Sequence, residues 1–187
     1  MQAAGIDKIA VAQLDLGDVA EDEAAARASR NLVGSGTEAR AAGRGRVNLC
    51  ALSHGVFHFE TAVVDRLNRI DESITIATLP LHEVVAPGQL VATVKVNPYA
   101  VPESSIQAWE AVGKHFAVAA FRPRRVSLIQ TSSMAIKDKV HEKTTAVTTE
   151  RLQALGSSLV ASIKTAHESQ TISAAIRSRL KPATIWC

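Results

Sequence analysis

The sequence predicts an α/β protein in two parts: an N-terminal α+β region over residues 1–121 and a βαβα segment over residues 122–187 that opens a doubly wound parallel sheet. Three observations support this prediction. The 187 residues are 47% apolar and 21% charged, which excludes disordered and collagen-like chains. Short β-branched runs alternate with amphipathic helical segments. An Arg-Pro-Arg-Arg segment at residues 122–125 interrupts the pattern between the two parts.

The first predicted elements are a strand and a helix. Small and branched apolar side chains alternate over residues 8–16, which predicts a strand, and Gly17 and Asp18 predict the cap of a helix over residues 19–33. The side chains expected on the buried face of this helix are Ala24, Ala25, Ala28 and Leu32. Residues 40–46 are rich in glycine and alanine and are expected to form a loop.

A second helix, two strands and a third helix follow. The second helix is indicated by apolar side chains at helical spacing, which are Val63, Val64, Leu67 and Ile70. Isoleucine, valine and threonine dominate residues 73–79 and 89–96, which predicts two paired strands. A proline opens the helix expected over residues 102–112, and residues 116–121 are expected to form a strand.

The C-terminal region is predicted to form a strand, a helix, a second strand and a second helix, in that order. The strands are predicted over residues 126–130 and 159–163, and the helices over residues 144–155 and 168–180. A loop over residues 131–142 joins the first strand to its helix. Each helix is expected to bury one apolar stripe; the two stripes are Val147, Leu152 and Leu155, and Ile172, Ala175, Ile176 and Leu180.

The charges divide between the two parts. Residues 1–121 carry 10 Lys and Arg against 14 Asp and Glu, net −4, whereas residues 122–187 carry 11 against 4, net +7. An anionic partner is therefore expected at the C-terminal part. Only 4% of residues are aromatic, and without stacking residues a phosphorylated small molecule is favoured over nucleic acid.

The composition also bears on location. No apolar run approaches the ~20 residues of a membrane span, so no membrane association is expected. The N-terminus lacks the basic and apolar regions of a signal peptide. With Cys50 and Cys187 as the only cysteines, the sequence predicts a protein of the reducing cytoplasm.

The loop after the first C-terminal strand is the predicted ligand site, because ligands of parallel sheets bind beyond the carboxyl ends of the strands. Hydroxyl groups and lysines suit phosphate oxygens, and a helix opening near Thr144 would add free amide donors. The residues assigned to this site are Thr131, Ser132, Ser133, Lys137, Glu142, Lys143 and Thr144. The alternative is a solvated loop in which Thr144 caps the helix.

The histidines and cysteines form no metal or catalytic pattern. His54 and His58 are four residues apart, but Gly55 argues against the helix that would place both on one face. Cys50 and Ser53 lie near His54 in the chain without a third group to orient them. The sequence therefore predicts neither a metal site nor a hydrolase.

Several long stretches, taken in their order along the chain, resemble the sequences of one known family. They are residues 45–49, 67–72, 76–80, 88–96 and 121–131, together with Lys143 and Thr144. With these stretches the chain resembles bacterial molybdopterin-binding proteins of molybdenum-cofactor biosynthesis over nearly its whole length. The resemblance implies a C-terminal domain similar to those of the molybdopterin adenylyltransferase and molybdenum insertase families, with molybdopterin as the ligand.

The resemblance also assigns individual positions. Residues 131–133 stand where the wider superfamily has a Thr-Gly-Asp-Glu turn, and Glu142 would be the acidic ligand. Lys143 would meet the terminal phosphate. Because neither superfamily motif is intact, the resemblance implies binding and leaves catalytic activity open.

In that family a third strand and a glycine-rich phosphate loop would follow Leu180, where this sequence has residues 181–187. A truncated or frameshifted reading frame is therefore hypothesised, with weak ligand binding. A parallel sheet of two strands would leave an open edge, so self-association into a homo-oligomer is expected. The alternative function is a non-catalytic interaction module that docks on other proteins of cofactor assembly.

Overall fold

The computed structural model describes residues 13–113, 116–132 and 137–180 and shows a mixed α/β protein. The chain divides into two compact units, Met1–Ala120 and Phe121–Cys187. Among the described residues, no helix is both long and apolar enough to cross a membrane.

In its described residues, the N-terminal unit contains three small sheets and three helices. Its strands are β1 (Asp18–Ala20), β2 (Thr37–Ala41), β3 (Arg46–Ala51), β4 (Gly55–His58), β5 (Ile74–Thr78), β6 (Val84–Val85), β7 (Leu90–Val96), β8 (Ala100–Pro102) and β9 (Ala117–Ala120). Its helices are α1 (Glu21–Arg30), α2 (Thr61–Leu67) and α3 (Glu103–Val112). The largest sheet is antiparallel with the strand order β2-β3-β7-β5. The other sheets are β6-β4-β9 and the pair β1-β8.

The core of this unit lies between α1 and the four-stranded sheet. The predicted face of α1 is confirmed, since Ala24, Ala25 and Ala28 are fully buried, and so is Leu32 just beyond the helix. Alanines allow the helix to approach β3 and β7 closely. Trp109 of α3 is also fully buried, and its indole Nε1 donates a hydrogen bond to the carbonyl oxygen of Ala28 at 2.9 Å. This bond ties α3 to α1.

Several predicted elements of this unit are confirmed. The strands expected over residues 73–79 and 89–96 are β5 and β7, which pair antiparallel with Ile76 opposite Val94. Both side chains are buried on the core face, as the alternation of apolar and polar residues predicts. The helix that follows Pro102 is α3, and the strand expected over residues 116–121 is β9.

Two N-terminal predictions are wrong. Of the strand predicted over residues 8–16, residues 8–12 lie outside the described residues, and residues 13–16 are not a strand. Asp18 does not cap a helix: it begins β1, and its carboxylate accepts a hydrogen bond from the backbone N–H of Asp15 at 3.1 Å. α1 therefore starts at Glu21, after Ala20, and ends at Arg30 rather than at residue 33.

The loop predicted over residues 40–46 is also wrong in part. β2 continues through Arg40 and Ala41, because both residues pair with β3. Only the tip of the hairpin turns, and there Gly43, Arg44 and Gly45 have positive φ angles. Glycine adopts this backbone conformation without steric strain, which explains why two glycines flank the arginine.

The C-terminal unit has the chain order β10-α4-β11-α5. Its elements are β10 (Arg125–Ser132), α4 (Asp138–Ala154), β11 (Ser158–Ala166) and α5 (Ser169–Arg177). β10 and β11 pair in parallel and form a two-stranded sheet in the described chain. Parallel strands need a crossover, and α4 supplies it, packing against β11.

Two predictions for this unit are corrected. α4 begins at Asp138, six residues before Thr144, so residues 138–142 of the predicted loop are helix, and Thr131 and Ser132 belong to β10. The two apolar stripes are not buried: Ile176 is 44% exposed and Leu180 67% exposed. Gln130 and His141 are the only residues classed as buried within the described part of this unit. Two strands are too narrow a surface to cover both helices.

Candidate functional site

The carboxyl ends of the two parallel strands place a hydroxyl group beside an imidazole. Thr131 and Ser132 are the last residues of β10 and are half-buried. The Thr131 Oγ1 atom lies 3.1 Å from the Nδ1 atom of His167, which follows β11. Ser133, which was assigned to the same site, lies outside the described residues. This end of the sheet is where ligands of parallel sheets bind.

Charged side chains of both signs lie at the start of α4. Lys137 precedes the helix, and Asp138 is its first residue. The Asp138 Oδ1 atom accepts a hydrogen bond from Lys164 Nζ at 2.7 Å, and this contact lowers the pKa of the Asp138 carboxyl. An ionised carboxylate in the first turn stabilises the helix through its dipole and opposes an anion at that position.

Because α4 starts earlier than predicted, three predicted site residues lie within the helix. Glu142, Lys143 and Thr144 are exposed residues inside the helix rather than at its opening. The Thr144 hydroxyl donates to the carbonyl oxygen of Val140 at 2.9 Å, so it does not cap a helix. Residues two apart on a helix do not face each other, so Glu142 and Thr144 point to different sides.

A solvent-open depression of about 640 Å³ lies along one exposed face of α4, formed by α4 and the residue before it, and we refer to it as the α4 groove. It is lined by Lys137, Lys139, Val140, Lys143, Thr144, Val147, Thr148 and Arg151. Four of these residues are cations, and none of the described lining residues is acidic. The groove therefore combines a positive potential with two valine side chains, and it brings together Lys137, Lys143 and Thr144 of the predicted site.

Lys139 and Arg151 line the groove but were not assigned to the predicted site, although Lys139 lies in the predicted ligand loop. The signal that could have found them is helical spacing: Lys139 and Lys143 are four residues apart, and so are Val147 and Arg151. For the lysines this signal was hidden, because the helix was predicted to start at Thr144, which left Lys139 and Lys143 in a loop; Arg151 lay inside the predicted helix, where no ligand site was expected. Glu142, by contrast, does not line the groove.

A buried polar network holds α4 against the sheet. The Gln130 amide nitrogen donates to Thr145 Oγ1 at 2.9 Å and to Ser162 Oγ at 3.2 Å. The Gln130 Oε1 atom accepts a hydrogen bond from His141 Nδ1 at 3.2 Å. These contacts join β10, α4 and β11. The Nε2 atom of the buried His141 ring has no hydrogen-bond partner in the described structure.

His54 and His58 lie on a turn and a strand rather than on a helix. His54 lies in the turn before β4 and His58 at the end of that strand, so they do not share a helical face. Within residues 13–113, 116–132 and 137–180, no three His, Cys, Asp or Glu side chains are grouped so that they could hold a metal ion.

Comparison of the chain with family models, curated proteins and solved structures gives no match. The family resemblance therefore stays a prediction from the sequence. The structure adds to it the chemistry of the α4 groove and of the two strand ends.

Proposed function

We propose that the C-terminal unit binds a phosphorylated pterin, molybdopterin, in the α4 groove, and that the protein serves molybdenum-cofactor biosynthesis in the cytoplasm. The observation that carries the proposal is the set of four cations in a groove without an acidic lining residue. The pterin identity depends on the sequence resemblance. We further propose that β10-α4-β11-α5 is the opening half of a doubly wound molybdopterin-binding domain.

The groove has the chemistry that such a ligand needs. Lys139 and Lys143 lie one helical turn apart and offer ammonium groups to a phosphate. Arg151 adds a planar guanidinium that can hold two oxygens at once. Val140 and Val147 supply an apolar surface for a flat heterocycle. The ligand's charged and aromatic parts thus have separate contacts.

Binding of this kind is expected to be weak. The groove is open to solvent, where each ion pair contributes about 0.2–1 kcal/mol. A ligand held by a few such pairs and an apolar contact binds with a dissociation constant of about 0.1–1 mM. Tight binding would require a more enclosed phosphate site than the described residues provide.

The test compares two forms of one ligand. Pterin fluorescence is followed under anaerobic conditions while the full chain is added to molybdopterin, and again to molybdopterin treated with phosphatase. The proposal predicts saturation with the phosphorylated form, loss of binding after dephosphorylation, and competition by inorganic phosphate. Equal affinity for both forms, or no saturation with either, would contradict it.

The alternative is a non-catalytic interaction module that docks on other proteins of cofactor assembly. The observation that favours it is the exposure of apolar side chains on the C-terminal unit, which are Val140, Leu155, Val160, Ile176 and Leu180. This function predicts capture of an assembly protein by the immobilised chain and no change in pterin fluorescence. Saturable pterin binding without such capture would exclude it.

A further inference from the structure

β2 is an edge strand of the four-stranded sheet, and no strand of the described chain pairs with its outer side. We propose that β2 pairs antiparallel with β2 of a second copy of this chain, which joins two four-stranded sheets into one of eight strands. The proposal concerns the N-terminal unit and is independent of pterin binding.

The backbone of β2 is set for such pairing. The bonds from Ala42 N to Arg46 O and from Leu52 N to Gly36 O, both 2.9 Å, show that even-numbered residues bond toward β3. In an antiparallel ladder the intervening residues direct their N–H and C=O groups to the other side. These residues are Thr37, Ala39 and Ala41; the Thr37 N–H already donates to Gly34 O at 3.2 Å, so Ala39 and Ala41 offer the N–H groups for pairing at this edge.

The side chains of β2 are self-complementary. In a twofold arrangement centred on Ala39, that residue faces its own copy, and Thr37 faces the partner's Ala41. Glu38 then lies opposite the partner's Arg40, and Arg40 opposite the partner's Glu38. These two pairs occupy the positions without backbone hydrogen bonds, where side chains on opposing strands are closest. Each copy supplies one acid and one base to the other.

Within one chain the same two side chains already form an ion pair. The Arg40 Nε atom donates to Glu38 Oε1 at 2.8 Å, and the side chains are 55% and 38% exposed. Exposed pairs contribute little to stability, so exchanging the internal partner for the second copy's residue is nearly neutral. The charges of Glu38 and Arg40 sum to zero both in the single chain and in the dimer.

Small side chains leave room for the second copy. A groove of about 610 Å³ lies between α1 and β2 on the core side of the edge. Its lining includes the small side chains of Ala26, Ser29, Ala39 and Ala41 together with Arg30 and Glu38, and no aromatic side chain is among the described residues that line it. A second sheet edge can therefore approach without displacing an aromatic group, while the exposed Arg30 side chain moves toward solvent.

The test uses charge reversal in the full chain, with association measured by sedimentation over a range of protein concentrations. The wild type is expected to dimerise. Glu38→Arg and Arg40→Glu place like charges opposite each other, and each is expected to weaken the dimer at least tenfold. The double variant Glu38→Arg/Arg40→Glu is expected to dimerise again, and an equal mixture of the two single variants is expected to form a heterodimer.

A backbone variant completes the test. Ala39→Pro removes the outward N–H group and is expected to abolish the dimer, whereas Ala39→Thr keeps the strand and the dimer. Circular dichroism checks that each variant is folded. A wild type that stays monomeric at about 1 mM would overturn the proposal, and so would association that is unchanged in all the variants. Failure of the double variant to restore the dimer would overturn it as well.

Discussion

Arg27 of α1 forms two ion pairs with α3 in the N-terminal unit. Its Nη1 atom lies 2.6 Å from Glu103 Oε2, and its Nη2 atom lies 2.9 Å from Glu110 Oε2. Both carboxylates belong to α3, one at its start and one near its end. The guanidinium lowers the pKa of both glutamates, and the two carboxylates raise the pKa of Arg27. A planar guanidinium can bridge two carboxylates, which an ammonium group cannot do with the same geometry.

Replacing Arg27 with methionine is expected to lower the free energy of unfolding at pH 7 by about 1–2 kcal/mol, because the variant loses charge-assisted hydrogen bonds. The measurement is urea unfolding. Arg66→Met removes an exposed cation at the end of α2 and serves as the control, with little expected change. Equal stability of Arg27→Met and wild type would show that the contact adds nothing.

The same contact predicts a pH dependence. Both glutamates have a lowered pKa when folded, so the unfolded chain binds more protons as the pH falls. The stabilisation is therefore present above the unfolded glutamate pKa of about 4.3 and is lost as the pH falls through the lower folded values. The stability difference between wild type and Arg27→Met is expected to shrink between pH 6 and pH 3. A difference that stays constant over this range would contradict the assignment.

Among the helices and strands, those with a strong repeat of apolar side chains were predicted correctly. β5, β7 and the buried face of α1 were predicted because apolar side chains recur in them at strand or helix spacing. β2 was missed because its residues, Thr-Glu-Ala-Arg-Ala, are mostly helix formers, and its pairing with β3 decides its structure. The residue propensities of β2 alone could not indicate this pairing, although β3 follows directly after the turn.

Only part of the candidate site was predicted, because the start of α4 was placed too late in the sequence. Lys137, Lys143 and Thr144 were chosen as loop residues, and they meet instead along α4. The first turns of α4 contain two lysines and no repeat of apolar side chains. Apolar periodicity therefore gives no sign of a helix there. The Gln130 and His141 contact was not predicted, because it joins polar residues of two elements that pattern analysis treats as solvent-facing.

The start of α4 at Asp138 can be tested with proline. Thr144 is the seventh residue of the helix, where proline removes a hydrogen bond and clashes with the preceding turn. Thr144→Pro is therefore expected to destabilise the C-terminal unit by about 3 kcal/mol. Asp138→Pro, at the first helical position, is expected to have a much smaller effect. Hydrogen exchange of α4 amides measures both, and a tolerated Thr144→Pro would mean that the helix starts later.

At the scale of the whole molecule, the two units differ in how much they bury. The N-terminal unit has a continuous core that includes the fully buried Trp109, Phe57 and Phe116. The C-terminal unit buries little apolar surface, and its parallel sheet has only two strands in the described chain. Parallel sheets are normally covered on both faces, so this unit lacks the usual source of their stability.

The C-terminal unit is therefore expected to unfold first. In a urea series, amides of β10 and β11 are expected to lose protection from hydrogen exchange at lower concentrations than amides of β3 and β7. Limited trypsin digestion is expected to cut within residues 121–180 before it cuts the N-terminal unit. Protection of all four strands that is lost in a single step would show instead that the two units unfold cooperatively.

We propose that the cations of the α4 groove hold a phosphorylated pterin. The most direct measurement is fluorescence titration of molybdopterin with wild type, Lys143→Ala and the control Arg177→Ala, which removes an exposed cation of α5 outside the groove. Lys143→Ala is expected to weaken binding about two- to fivefold, the loss of one exposed ion pair, and Arg177→Ala is expected to bind like wild type. The triple variant Lys139→Ala/Lys143→Ala/Arg151→Ala is expected to show no saturation. Equal weakening by Lys143→Ala and Arg177→Ala, or unchanged binding by the triple variant, would contradict the claim.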